Sequence, residues 1–177
     1  PTFFAQSDNA KYSRSQEISE DDGIPVIIKH LPEWESVRDG ARLITNSQEL
    51  KAALGERPVF DLIDFAGGTE AVSAVYPQGK LLIVEYNSPQ ASIDADNKIN
   101  ARLAELGGNP QIFYRRIGNY NVFLFDGGDE SAANALFDQI KYEKVVQWLD
   151  KDPTLFQRAE RVFVQTYSGM FVGTAIA

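Results

Sequence analysis

The sequence contains two stretches built on one plan, and this repetition limits the possible folds more than any other feature. Each is an apolar run followed by a short turn and a helix cap: residues 80–86 (KLLIVEY) lead to Ser88, and residues 120–126 (YNVFLFD) lead to Asp129. With the segments between and after them, residues 80–149 have the order β-α-β-β-α-β. This order predicts the α+β class, with a ferredoxin-like antiparallel sheet and both helices on one face.

The remaining parts of the repeat fit that order. Residues 112–117 are a predicted strand, followed by Gly118-Asn119, a pair typical of a two-residue hairpin. Residues 141–149 alternate, which predicts the last strand, although continuation of the preceding helix fits the same residues. We expect the repeat to have one core, with seven side chains in or beside it: Leu82, Val84, Ile99, Leu103, Val122, Leu124 and Leu136.

The residues before this repeat are predicted to extend its sheet. Residues 59–65 and 70–76 read as strands, and residues 41–45 as another short one. Residues 24–28 contain a proline, which favours an edge strand or an extended entry. A short helix is expected over residues 47–54, because a serine at its start and a glycine after its end are typical caps.

The composition excludes several kinds of site. There are 17 Lys and Arg against 25 Asp and Glu, so the net charge is −8, which argues against nucleic acid as a partner. The chain has no cysteine, which excludes disulfides, Cys-ligated zinc, iron–sulfur clusters and covalent c-type haem attachment. His30 is the only histidine, so no site can take two imidazoles from one chain. We predict no metal and no cofactor held by this chain alone.

The two ends of the chain differ from its middle. Residues 1–23 include a polar, acidic stretch without periodicity, so an extended or disordered arm is expected before an α+β domain at 24–150. Residues 151–177 are predicted to form a C-terminal helix, which is uncharged from residue 162 onward. We expect it to start a single-pass membrane anchor; a terminal helix packed in a groove is the alternative. The predicted lipid or partner contacts are Phe163, Gly169, Met170, Phe171, Gly173 and Ile176.

Acidic residues flank two glycine pairs. Residues 126–130 (DGGDE) offer oxygen ligands for a hard cation, but their spacing is more typical of a strand-to-helix turn. Asp61, Asp64 and Glu70 surround Gly67-Gly68. Because residues three apart on a strand face opposite sides, we interpret this group as a hairpin turn and not as an acid/base dyad.

Aromatic and basic side chains supply the other candidates. His30 has no nucleophile or orienting carboxylate nearby in the sequence, so an ordinary surface or partly packed histidine is favoured over a catalytic base. Trp34 and Trp148 are candidates for core filling or for anchoring a partner. Four residues on the central hairpin are interpreted as a solvated sheet face, with protein or base binding as the alternatives: Tyr114, Arg115, Arg116 and Tyr120.

A family resemblance rests on segments spread over about 24–150: HLPEW at 30–34, the strand pair from 76–77 to 85–86, the turn at 125–130, residues 139–143 and Trp148. In these segments the chain resembles an uncharacterised bacterial family of unknown function. The resemblance implies an exported domain with an N-terminal signal sequence and often a C-terminal membrane helix. It carries no catalytic motif, so it assigns no functional residue. The acidic stretch at 6–23 departs from the family pattern.

These observations favour a non-enzymatic, membrane-tethered domain that is an accessory or scaffolding subunit of a membrane protein assembly. A soluble module that binds a ligand or peptide on its sheet face is the alternative, and an enzyme using only carboxylates, Tyr and Arg is a third hypothesis. Lys151, Arg158 and Arg161 precede the uncharged segment, which by the positive-inside rule places the domain in the cytoplasm. The family resemblance implies export, and we expect the extracytoplasmic side.

Overall fold

The computed structural model of the chain describes residues 23–107 and 111–142. Its strands are β1 (Arg42–Ile44), β2 (Glu70–Tyr76), β3 (Gly79–Glu85), β4 (Ile112–Ile117) and β5 (Tyr120–Phe125). Its α-helices are α1 (Val26–Lys29), α2 (Trp34–Val37), α3 (Ser47–Leu54), α4 (Pro89–Glu105) and α5 (Glu130–Phe137). Short 3-10 turns lie at Arg38–Gly40, Phe60–Leu62 and Ala66–Gly68.

The five strands form one antiparallel sheet in the order β1-β2-β3-β5-β4, which confirms the α+β class. The ferredoxin-like order is not what the structure has. In that order the last strand of the repeat pairs with β3, but β3 already pairs with β5 on one edge and with β2 on the other, through a tight hairpin. The predicted strand at 141–149 lies almost entirely outside the described residues.

The helices cover both faces of the sheet, so the prediction of helices on one face is wrong. On one face, here called face A, α3 and α4 pack with Leu82, Val84 and Ile99, and Leu103 lies partly buried beside them. On the opposite face, face B, α1 and α5 pack with three other predicted core residues, namely Val122, Leu124 and Leu136. The seven predicted core residues therefore divide between two cores.

The two cores follow from the sequence of the central strands. Leu81, Leu82, Ile83 and Val84 of β3 are all buried, with successive side chains on opposite faces. The same holds along β5. A strand that is apolar at every position needs a cover on each side, and the two helices that follow β3 and β5 supply one cover each.

The N-terminal predictions hold in part. The strands at 41–45 and 70–76 are confirmed as β1 and β2. Residues 59–65 are not a strand: Val59, Phe60 and Ile63 are buried at a spacing that suits a helical turn. Residues 24–28 include most of α1, whose helical turn after a proline buries Ile27 and Ile28.

The predicted helix caps are close to the observed ones. The Ser88 and Asp129 side chains accept hydrogen bonds from backbone N–H groups in the first turns of α4 and α5, as predicted. At α3 the cap is Asn46, one residue before the predicted Ser47, and Gly55 ends that helix as expected.

None of the helices within 23–107 and 111–142 is both long enough and apolar enough to cross a bilayer. The predicted arm, Trp148 and the uncharged segment 162–177, with its six predicted contact residues, lie outside the described ranges.

Candidate functional site

A cleft of about 380 Å³ lies where the connection between α1 and α2 meets the end of α5. It is called the Trp34 cleft here, and its lining residues are Lys29, Leu31, Glu33, Trp34, Glu35, Ser36, Gln139 and Lys141. Leu31 is buried, whereas Trp34 is partly buried and packs on the core of face B. Trp34 thus packs on the core and also lines an open cleft; its role as an anchor for a partner stays a prediction.

The backbone on one side of the cleft is tightly turned. Glu33 has φ of 47°, a left-handed conformation that is costly for a residue with a side chain. The Glu33 carbonyl accepts hydrogen bonds from the backbone N–H and the hydroxyl of Ser36, at 2.9 Å and 2.8 Å. The Tyr76 hydroxyl on β2 donates to the Pro32 carbonyl at 2.7 Å. These contacts hold the backbone before Trp34 in place and so set the direction in which the Trp34 side chain projects.

His30 joins the two sides of the cleft. Its Nδ1 lies 2.9 Å from the Lys141 carbonyl oxygen, and its ring packs against Tyr120, with 5.4 Å between ring centroids. Tyr120 in turn contacts the Tyr142 ring edge-to-face at 5.2 Å. The packed-histidine interpretation of His30 therefore agrees with its place, since it is buried and ties residues 141–142 to α1.

Charges of both signs surround the apolar part of the cleft. The Lys29 ammonium lies 5.8 Å from the centre of the Trp34 ring, and Lys141 lines the other side. Glu33 and Glu35 supply the negative charges. The cleft therefore combines apolar surface with side chains that can form hydrogen bonds and ion pairs.

A second group of interest is a pair of facing carboxyl side chains, one of them buried, that sequence reasoning did not find. Glu70 on β2 and Glu85 on β3 are directly opposite each other in the antiparallel register, and Glu70 is only 4% exposed. The Glu70 Oε2 atom is buried without a hydrogen-bond partner. Burial, reinforced by the Glu85 charge, raises the pKa of Glu70 to about 7. The signal in the sequence was a glutamate at the outer end of each of two apolar strands.

A buried polar layer lies under α4 on face A. The Ser92 hydroxyl donates to the Asn121 side-chain oxygen at 3.0 Å, and both residues are fully buried. Burial raises the pKa of the nearby Tyr86 to about 12, and Asn121 opposes part of that rise. The Tyr86 hydroxyl and the Asn121 side chain nevertheless do not reach hydrogen-bond geometry. This layer fixes α4 on the sheet.

The two predicted acidic groups are held by basic partners and by backbone. Arg57 makes two hydrogen bonds to Asp126, each 2.8 Å, and the Lys80 ammonium lies 3.2 Å from the same carboxylate. These cations lower the pKa of Asp126, with the Arg57 hydrogen bonds as the largest cause. Residues 126–130 form a strand-to-helix turn, as interpreted.

The group around Gly67-Gly68 is a loop and not a hairpin turn, because the residues before it are not a strand. Asp61 pairs with Arg102 at 3.4 Å, and the Asp64 carboxylate accepts a hydrogen bond from the Ala66 N–H. Asp61 and Asp64 therefore each bind a different group and do not form a dyad.

Three of the four hairpin residues are not on a solvated sheet face, whereas Arg116 is exposed as interpreted. Tyr120 is buried on face B, and the Tyr114 hydroxyl donates to Asp96 on α4 at 2.7 Å. Arg115 bonds Asp138 at 2.8 Å and lies over the Phe137 ring. Arg116 donates to the Gly118 carbonyl at 2.8 Å. Tyr120, Tyr114 and Arg115 pack against the helices that cover the sheet, so helices lie where solvent was expected.

Comparisons with protein-family models, with curated proteins and with solved structures each find no match. Within the described ranges, no group of three or more His, Asp or Glu side chains is placed to hold a metal ion.

Proposed function

We propose that the chain is a non-enzymatic, membrane-tethered binding domain that acts as an accessory or scaffolding subunit of a membrane protein assembly. In this proposal the Trp34 cleft receives an extended segment of a partner subunit, and residues 162–177 hold the domain at the membrane on its extracytoplasmic side. The observation that carries the proposal is the partly buried Trp34 in the wall of an open cleft with charges of both signs.

The cleft supports a protein partner in two ways. Tryptophan is among the residues that contribute most to protein–protein binding, because a large rigid ring loses little conformational entropy when it is covered. The Trp34 ring is already positioned by the turn at Glu33 and by its packing on face B. A volume of about 380 Å³ is large enough for one or two side chains of a peptide segment.

The uncharged segment supports the tether. Sixteen consecutive residues without Asp, Glu, Lys or Arg, with Gly169 and Gly173 four apart, suit a helix that lies in lipid or against another membrane helix. A helix of this composition in water would expose several large apolar side chains, which monomeric proteins seldom do.

Site-specific photocrosslinking in native membranes tests the docking part. A benzophenone amino acid at position 34 is expected to give one discrete adduct with a membrane subunit. The same group at Leu106, which is 39% exposed and outside the cleft, serves as the matched control. Equal adduct patterns from the two positions, or none from position 34, would contradict docking at the cleft.

Fractionation with and without residues 162–177 tests the tether. We expect the 177-residue chain to sediment with membranes and the shortened chain to be released. If both forms stay in the soluble fraction, the tether is wrong, and a soluble module becomes the better proposal. Such a module would not use an open sheet face, because helices cover both faces of the sheet in the described part of the chain.

A further inference from the structure

The sequence contains three Asp-Gly pairs, and two of them, Asp39-Gly40 and Asp126-Gly127, lie wholly within the described ranges. An aspartate before glycine rearranges more readily than one before other residues, because glycine has no Cβ that would shield its backbone nitrogen. We propose that Asp39-Gly40 is a site of spontaneous isoaspartate formation, whereas the fold protects Asp126-Gly127 from the same reaction. This chemistry is independent of what the Trp34 cleft binds.

The reaction has two steps, and water is its only co-reactant. In the first step the backbone nitrogen of the glycine loses its proton and bonds to Cγ of the aspartate, while one oxygen of the protonated carboxyl group leaves as water. In the second step water opens the resulting succinimide ring, and opening at the former main-chain carbonyl gives isoaspartate. The carboxyl group must therefore be able to gain a proton and to turn toward the glycine nitrogen.

Asp39 has the freedom that this reaction needs. It lies in the 3-10 turn between α2 and β1, and its side chain is 95% exposed. Its ion pair with Arg38 is 3.4 Å long, and because both side chains are largely in solvent the pair restrains the carboxylate little. Gly40 is exposed, and apart from its chain neighbours nothing lies within 4 Å of a Cβ placed there. The Asp39-Gly40 peptide therefore has room to rearrange.

Asp126 lacks this freedom. Arg57 donates two hydrogen bonds of 2.8 Å to its carboxylate, and the Lys80 ammonium lies 3.2 Å from it. The hydrogen bonds from Arg57 are the largest cause of the lowered pKa of Asp126, so the protonated form that reacts is scarce. Gly127 is buried, and a Cβ placed there would lie 2.9 Å from the Phe113 ring. The carboxylate and the glycine nitrogen therefore approach each other only after these contacts break.

Isoaspartate at position 39 would change the connection between α2 and β1. It adds one carbon atom to the main chain inside a turn that the Ala41 N–H closes by donating to the Arg38 carbonyl at 3.2 Å. Val37 and Ala41, on the two sides of this turn, both pack against the core of face B. The modification therefore lengthens a connection whose two ends are held in place.

Ageing of the 177-residue chain at pH 6 and 37 °C in mild detergent tests the proposal. Cleavage after lysine places the three Asp-Gly pairs on separate peptides, 12–29, 30–51 and 99–141. Electron-transfer fragmentation in a mass spectrometer breaks the main chain within isoaspartate and so shows its position. We expect isoaspartate at position 39 to accumulate at least about tenfold faster than at position 126, because the contacts of Asp126 must open first.

Two controls separate the effect of the fold from that of the sequence. Gly40→Ala fits without a new contact and shields the backbone nitrogen, so it is expected to lose most of the isoaspartate at position 39. In urea that unfolds the chain, positions 39 and 126 should react at similar rates. No isoaspartate at position 39, or an unchanged amount in Gly40→Ala, would overturn the proposal. So would equal rates at the two positions in the folded chain, or an Asp126 that stays unreactive in urea.

Discussion

At the scale of single residues, Glu70 has surroundings that are unfavourable for a charge. Its side chain is 4% exposed, its Oε2 atom has no hydrogen-bond partner, and Glu85 faces it across the ladder. Ionised Glu70 would be both desolvated and repelled, so the folded state favours the protonated form. An unfolded chain offers neither effect. Part of the pH dependence of the unfolding free energy should therefore come from this group.

Glu70→Gln is expected to remove that dependence. The pKa of Glu70 is about 7 in the folded state against 4.5 for an ordinary glutamate, so the folded state binds more protons between these values. In the wild type, the contribution of Glu70 to the unfolding free energy is fully present below about pH 4.5. It is lost as the pH rises through about 7, and the total loss is at most about 3 kcal/mol. Glutamine stays neutral, so the unfolding free energy of the variant should increase relative to that of the wild type as the pH rises.

Urea melts of both proteins at pH 5 and pH 8 measure the effect. Glu35→Gln, at an exposed position, is the matched control. Its unfolding free energy should differ from that of the wild type by the same amount at pH 5 and at pH 8. An equal difference between Glu70→Gln and wild type at the two pH values would show that Glu70 is not the responsible group.

At the scale of elements, the β2–β3 hairpin depends on a glycine. Gly79 has φ of 146°, outside the range that other residues readily adopt, and it follows the two-residue loop Pro77-Gln78. A methyl group at position 79 would lie 2.5 Å from the Phe125 carbonyl oxygen on the neighbouring strand. The hairpin therefore brings β3 so close to β5 that no side chain fits at its first residue.

Gly79→Ala should cost about 1–3 kcal/mol of unfolding free energy, from backbone strain and the close contact. Gly128→Ala is the matched control, because nothing lies within 4 Å of a methyl group placed there. In denaturant melts, the unfolding midpoint of Gly79→Ala should lie below that of Gly128→Ala by more than the experimental error of the midpoint. Equal midpoints would mean that the hairpin adjusts without loss.

The elements also show what the sequence could and could not predict. Local signals were sufficient for β2 to β5 and for the caps Ser88 and Asp129, because apolar runs and cap residues act over a few positions. They failed for residues 59–65, where buried side chains at helical spacing looked like an apolar strand run. Strand order could not be read in this way, since the pairing of β3 with β2 and β5 is decided by the packing of whole elements and not by a pattern within a few residues.

For the candidate sites, the sequence identified single residues but not which residues the fold brings together. Trp34 and His30 were singled out as residues, but their meeting with Gln139 and Lys141 depends on the fold. The same is true of Glu70 and Glu85, which come together only when the register of β2 and β3 is known.

At the scale of the whole molecule, the two hydrophobic cores of the described residues both take buried side chains from three strands. Along β2, β3 and β5 successive side chains alternate between the cores, as Leu82 and Ile83 do. A loss of packing on face A therefore loosens strands that also carry face B. This arrangement predicts that the described domain unfolds as one cooperative unit even though its helices lie on opposite sides of the sheet.

Ile99→Ala tests this cooperativity. Ile99 is fully buried on face A, so its truncation should cost about 2–5 kcal/mol. Trp34 packs on face B, and in a Trp148→Phe background it is the only tryptophan, so its fluorescence reports the face that the substitution does not touch. We expect the unfolding midpoints from Trp34 fluorescence and from far-ultraviolet circular dichroism to coincide, and Ile99→Ala to lower both equally. If the Trp34 transition kept its wild-type midpoint while the circular dichroism midpoint fell, face B would unfold independently of face A, and the shared strands would not couple the two cores.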